Sequence, residues 1–249
     1  MRLTKQLALV ASLQFGISGP FDCHVYALKG PDGVVLIDSG AGTHTAKLLE
    51  NLRDDLETDS VKALILTHFH LDHSGGAAEI RKRTQCRVIA PQAGRSILES
   101  GDEQAAGLTF ARQQRTYPPA FRLAPCPVDL GVADGEDFEA AGIGFRAIHV
   151  RGHSENTFCY LTRANGRNWL FTGDVVFCGG VLGVINVPGS GMEGYRSDFG
   201  KLQGLAVDGL FPGHGLLTLT RGQKHIDRAL ESLKKGTLPP QVGQGGLVI

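Results

Sequence analysis

Between Thr67 and Gly76 the chain reads Thr-His-Phe-His-Leu-Asp-His-Ser-Gly-Gly, so three histidines and one aspartate fall within six residues. Imidazole and carboxylate are natural donors for zinc and neighbouring transition metals. A lone histidine is more often a hydrogen-bonded or surface residue than a ligand. Four donor side chains packed this tightly, His68, His70, Asp72 and His73, read as a metal site. In an extended segment His68 and His70 project to one side, because side chains alternate with period two, and both can reach one ion. A turn after Leu71 would let Asp72 and His73 face a second ion, and Gly75-Gly76 would admit a tight turn into the next helix.

Such a segment needs a rigid support, and the sequence supplies one immediately before it. Val61–Leu66 is an apolar run of strand length that stops at Thr67-His68. Earlier, Leu7–Ile17, His24–Leu28 and Val34–Ile37 read as strands, and Thr45–Leu56 as a helix with apolar residues at Ala46, Leu48, Leu49, Leu52 and Leu56. A second helix is expected from Gly76 to Thr84, then a strand over Arg87–Ala90. Residues 91–127, with Arg112, Arg115, Pro118, Pro119, Pro125 and Pro127, read as an insertion with some helix and no clear sheet pattern. Strand signals resume at Gly144–Val150, Thr157–Thr162, Trp169–Phe171 and Gly209–Phe211. A helix over Arg221–Lys235 and a Pro/Gly-rich tail, Gly236–Ile249, follow. Strands alternate with helices in both halves and no low-complexity linker interrupts them. The expectation is therefore one α/β domain of two similar halves, over residues 1–249.

Composition narrows the partners. Of 249 residues 42% are hydrophobic and 20% charged, and Lys+Arg and Asp+Glu are both 25, giving zero net charge. That offers no electrostatic case for nucleic acid, and Arg81-Lys82-Arg83 reads as a solvated helix face. Five scattered cysteines without a Cys-x-x-Cys pair fit free thiols in a reducing compartment, so a cytoplasmic location is expected. The basic Met1–Gln6 and apolar Leu7–Leu13 faintly resemble a signal peptide, but no small-residue cleavage site follows cleanly and a first strand is the better reading. No apolar run approaches the ~20 residues needed to span a bilayer.

His-x-His-x-Asp-His after an apolar strand resembles the signature of the metallo-β-lactamase superfamily. The resemblance implies an αββα sandwich, two packed mixed sheets with outer helices, and three further ligands at strand ends. The matching positions are His153 in Arg-Gly-His-Ser, Asp174 in Phe-Thr-Gly-Asp and His214 in Phe-Pro-Gly-His-Gly. Asp38, in Asp-Ser-Gly, matches the family's early Asp-x-Gly motif, which stabilises a loop. These motifs span residues 34 to 215. By this carry-over one metal is held by His68, His70 and His153, the other by Asp72, His73 and His214, and Asp174 bridges them. Two divalent ions are implied, zinc first, with iron and manganese accepting the same donors. A shared water acidified by both ions attacks an ester-like carbonyl, and Asp72 orients it and accepts its proton.

The phrases around Asp174 and His214 look more like glyoxalase II and its lactonase relatives than like the β-lactamases. Ser154-Glu155-Asn156 after His153, and a tail without the basic-aromatic cluster that grips glutathione, depart from glyoxalase II. The substrate expected is a small, neutral or weakly polar ester, lactone or thioester. The insertion is expected to cap the metal cleft, with Phe110, Tyr117 and Phe121 as lining candidates. Cys178–Tyr195, rich in glycine, reads as a mobile loop beside Asp174, with Tyr195 a candidate to donate a hydrogen bond to the substrate. His24, His44, His149 and His225 match no motif and read as structural or surface residues. The leading alternative is a mononuclear iron enzyme resembling persulfide dioxygenases. A nuclease of the same superfamily and a non-enzymatic binding module are less consistent with zero charge and seven retained ligand candidates. The oligomeric state stays open, a homodimer included.

Overall fold

The computed structural model describes residues 1–242, so the last part of the expected tail, 243–249, lies outside the described residues. Two compact units are present, the first Met1–Val132 with Glu139–Ile143, the second Ala133–Phe138 with the chain from Gly144 onward.

In the first unit the apolar runs form a six-stranded sheet of order β1-β2-β3-β4-β5-β6. Its strands are β1 (Leu7–Ala11), β2 (Val25–Gly30), β3 (Gly33–Ile37), β4 (Val61–Ile65), β5 (Arg87–Pro91) and β6 (Leu130–Val132). The first three pair antiparallel, as short connections allow, and β3 through β6 pair parallel across longer crossovers. Between β3 and β4 lies α1 (Thr45–Leu56), which buries Leu48, Leu52 and Leu56, one side of a 3.6-residue period, and packs on β1. After β4 come a single turn, α2 (Leu71–Ser74), and α3 (Ala77–Thr84). The basic run on α3 is ion-paired: Arg81 with Asp129, and Arg83 with Glu79 at 2.7 Å.

Two expectations change here. The first strand ends at Ala11, not Ile17, because the chain turns back on itself at Gly16 and Ile17 N–H donates to Ser12 O. Gly75 and Gly76 hold ordinary right-handed backbone angles, so a tight turn is not their use. A Cβ on Gly76 would sit 2.2 Å from Ser39 O, and glycine is needed there for close approach. The insertion holds two short helices, α4 (Arg95–Ser100) and α5 (Leu108–Gln113), followed by irregular chain to β6.

The second unit is built on a five-stranded sheet of order β13-β10-β9-β8-β7. Its strands are β7 (Asp137–Ala140), of which Asp137 and Phe138 belong to this unit, β8 (Ile143–His149), which belongs to it from Gly144, β9 (Phe158–Ala164) and β10 (Arg167–Gly173). A small hairpin, β11 (Val176–Phe177) with β12 (Val181–Leu182), follows, then α6 (Met192–Asp198), β13 (Gly209–Pro212) and α7 (Gln223–Lys234). β8, β9 and β10 are antiparallel, and β13 joins β10 in parallel. β7 was not expected: its Asp-Phe-Glu-Ala sequence carries too little apolar signal. The last helix starts at Gln223, not Arg221, since Arg221 has a left-handed φ of 57° that no helix accommodates. Cys178–Tyr195 contains β12 and the start of α6 and is hydrogen-bonded along its length. Among the described residues no helix is long and apolar enough to cross a membrane.

Candidate functional site

β4 stops at Ile65, and the next residues run irregularly until α2. What shapes this segment is Asp38, at the end of β3, a non-glycine residue held at φ 64° and buried. Its Oδ1 accepts the Thr67 N–H at 2.8 Å, and the Thr67 hydroxyl donates to the same carboxylate at 2.9 Å. Thr67 Oγ1 also lies 3.0 Å from His68 Nδ1, and Asp38 Oδ2 lies 2.9 Å from His73 Nδ1. With the threonine proton committed to Asp38, its oxygen accepts from His68 Nδ1–H, and His73 Nδ1–H donates to Asp38 directly. Both histidines are thereby assigned the tautomer that leaves Nε2 with its lone pair, the usual preparation of a metal-ligating imidazole. Ser39 adds a second tie, its hydroxyl donating to His73 O at 2.7 Å.

Although this segment is irregular, not an extended strand, His68 Nε2 and His70 Nδ1 are 3.1 Å apart. That is close to the ~3.3 Å separating two nitrogens on a tetrahedral ion with bonds of ~2.05 Å. By ring centroids His73 lies nearer to His68, at 4.1 Å, than His70 does, at 4.7 Å. Asp72, half-buried, presents Oδ2 at 3.4 Å from His73 Nε2, and its Oδ1 accepts the Tyr117 hydroxyl at 3.0 Å. Burial, reinforced by the neighbouring Asp72 charge, pushes the Tyr117 phenol well above its usual range, so it is a neutral donor. Cys23 Sγ comes within 4.8 Å of ligand atoms of Asp38 and His73. Burial raises this thiol to about 12, and its Sγ–H donates to His24 O at 3.5 Å.

In the second unit three strand ends supply the donors. His153 follows β8, Asp174 follows β10 and His214 follows β13, all buried. Asp174 Oδ2 is 3.6 Å from His153 Nε2 and 3.5 Å from His214 Nε2. These distances exceed good hydrogen bonds and suit co-ligands. His153 Nδ1 donates to Gly183 O at 2.7 Å, which again leaves Nε2 as the electron-rich atom. A cation reconciles a carboxylate oxygen and unprotonated imidazole nitrogens converging in a buried place, so the residues of both units fit a bound metal.

Tyr195 is a correction. It is fully buried, its hydroxyl donating to Val175 O at 2.9 Å and accepting the Gly183 N–H at 3.1 Å. The phenol is spent inside the unit and does not face a substrate. It holds Gly183, whose carbonyl orients His153. Gly183 must be glycine for this, since a Cβ would lie 1.8 Å from Asp174 O. The other histidines are structural: His225 Nδ1 accepts the Gly179 N–H, His149 stacks on Phe158, His24 packs with Phe15 and Tyr26, and His44 Nδ1 meets Thr43 Oγ1. Of the lining candidates Tyr117 and Phe121 pack with each other and with Phe21, while Phe110 lies on α5. Sequence reasoning missed Thr67, Phe21 and Gly183, none of which stands in a chemical motif of its own.

The chain is similar to atrochrysone carboxyl ACP thioesterase of Aspergillus fumigatus, 27% identical over 198 residues, which cover 78% of this chain and 52% of that protein. It thus spans about half the length of that relative. It is also similar to acyl-coenzyme A thioesterase MBLAC2 of Homo sapiens, 28% identical over 77% of this chain and 72% of the relative. Among solved structures, the FEZ-1 metallo-beta-lactamase from Legionella gormanii superposes with a TM-score of 0.69 at 17% identity, covering 95% of this chain and 94% of the other, a likeness of fold. The profile of the metallo-beta-lactamase superfamily matches residues 18–214, the stretch that carries every candidate ligand, and the chain belongs to that superfamily.

Proposed function

We propose that this metal-dependent hydrolase cleaves thioesters of small molecules at a dinuclear centre, with His68, His70 and His153 on one ion, Asp72, His73 and His214 on the other, and Asp174 bridging. The observation that supports the reading is the orientation of ligand candidates found in each unit: His68, His73 and His153 each have Nδ1 at hydrogen-bond distance from a fixed oxygen, which turns Nε2 toward neighbouring donor side chains. Two relatives named as thioesterases, one for an acyl-carrier protein and one for acyl-coenzyme A, favour a thioester over a lactone. Bound zinc ions would acidify a water and polarise the carbonyl.

The chain's own residues do the rest. Asp72 accepts the proton of the attacking water through Oδ2, while Tyr117 fixes Oδ1. The water oxygen forms the new C–O bond, the C–S bond breaks with its electron pair on sulfur, and the proton passes to the departing thiolate. The products are a carboxylic acid and a thiol. The test is elemental analysis of the purified protein together with a panel of acyl thioesters, lactones and aryl esters. About two zinc ions per chain and chelator-sensitive thioester hydrolysis are expected. One iron per chain, with oxygen uptake and no hydrolysis, would overturn the reading.

A further inference from the structure

The Tyr117 hydroxyl fixes Asp72, but its ring and the two phenyl rings packed against it, Phe21 and Phe121, have no role in the hydrolysis itself. Phe21 comes from the loop between β1 and β2, and Tyr117 and Phe121 from the insertion. The Phe21 and Phe121 centroids are 5.2 Å apart at an interplanar angle of 70°, Phe21 and Tyr117 5.6 Å at 50°, and Tyr117 and Phe121 5.7 Å at 34°. Each ring touches the other two and each keeps part of its surface open to solvent.

Both segments are constrained to hold this triangle. Phe21 has φ 73°, a region that a bulky side chain occupies only when its surroundings impose it. Asp22 imposes it, accepting the Ala41 N–H at 2.9 Å and the Ser18 hydroxyl at 2.7 Å. On the other side Arg112 donates to Phe121 O at 3.0 Å and is ion-paired with Glu103. The Tyr117 hydroxyl then ties the triangle to Asp72. The insertion also lies against His70, since a Cβ on Gly107 would be 3.7 Å from its ring. A cluster serving only stability would bury its rings. This one leaves part of each ring exposed, at a strained backbone and one hydrogen bond from the proposed proton acceptor.

Resting on the thioesterase reading, we propose that Phe21, Tyr117 and Phe121 form the acyl-recognition site and select an aromatic acyl group. The exposed parts of these rings can take a further ring by offset or edge-to-face contact. Acetyl offers no ring for such a contact, whereas an aryl acyl group does.

The test uses the metal-loaded protein as purified, titrated with 2-naphthoate, a fluorescent aryl carboxylate of the product type, and assayed on 2-naphthoyl and acetyl thioesters of one thiol. Phe121→Ala should weaken 2-naphthoate binding about tenfold, as removal of a phenyl contact implies. It should lower the naphthoyl-to-acetyl ratio of kcat/KM by a similar factor, with Phe121→Leu falling between. Circular dichroism and Tm confirm folding, and the leucine variant serves if the alanine one does not fold. Unchanged naphthoate binding, or equal losses on both thioesters, would overturn the acyl site. Because the titration needs no turnover, it decides this proposal even if the wild-type protein hydrolyses no thioester, an outcome that would count against the thioesterase reading alone.

Discussion

In the first unit four candidate ligands leave one short segment and two of them lean on a single carboxylate, Asp38. In the second unit three ligands leave three different strands, and His153 leans on a backbone carbonyl, Gly183 O. The supports differ in how they can fail. Asp38 is itself a side chain, so one substitution removes the acceptor used by His73 and, through Thr67, by His68. No substitution removes the carbonyl of Gly183; only its position can be disturbed. That position depends on α6, which contributes Tyr195 to Gly183 and Asp198 to Arg151, two residues before His153. The first set is organised by electrostatics close at hand, the second by packing at one remove.

The largest effect concerns chemistry and not support. Asp72→Ala should reduce thioester turnover about a thousandfold, the scale of a lost general base, while the fold persists because Asp72 is half-buried and caps no core element. Steady-state kinetics with circular dichroism checks this, and wild-type activity in that variant would remove Asp72 from the mechanism. Next comes Asp38→Asn, which swaps an acceptor for a group that must also place two N–H donors. Affinity of the first set for metal should fall about 10- to 100-fold, as when outer hydrogen-bond partners of metal ligands are lost. Chelator competition measures it, and unchanged metal release would mean that Thr67 and Ser39 suffice. Tyr195→Phe should do less. The Gly183 N–H loses its acceptor while the ring still fills its place, so a drop in metal affinity of a few-fold to about tenfold is expected. A proton spectrum following the His153 ring separates positioning from general destabilisation, because only positioning moves that signal while Tm holds.

The same contrast explains what could be read from the sequence. His68, His70, Asp72 and His73 are legible because local geometry alone brings them together: a strand end, a short irregular run and one turn of helix need no distant information. His153, Asp174 and His214 are separated by tens of residues, and only resemblance to a family selects the two histidines from nine and the aspartate from the other acids. The strands are legible where burial is nearly complete, as in β3 and β4, and invisible in β7, whose residues alternate toward solvent. Tyr195 was misassigned for a physical reason. A tyrosine in a glycine-rich stretch beside a ligand looks exposed, yet a glycine outside that stretch, Gly152, lets backbone close over it: a Cβ there would meet its ring at 2.2 Å. Tyr117 was found among lining candidates, but its bond to Asp72 crosses 45 residues and leaves no local trace.

The smallest effect tests the second support through pH. Burial alone would push the Asp198 carboxyl up, but hydrogen bonds from the Arg151 side chain and backbone, with the Lys201 charge, hold it well below the usual carboxylate range. A depressed folded pKa means the folded state binds fewer protons than the unfolded chain, whose aspartates titrate near ~4. The stabilisation is therefore fully present above that value and is lost as pH falls below it toward the folded pKa. Asp198→Asn should lower Tm by a few degrees at neutral pH, and the gap to wild type should stay constant down to about pH 5, then narrow. A gap that widened on acidification would reverse the sign and deny Asp198 its part. If the gap narrows as expected while His153 keeps its ring signal above pH 5, then Arg151–Asp198 stabilises α6 without steering the ligand. Tyr195 is then the contact through which α6 acts on the metal-binding residues.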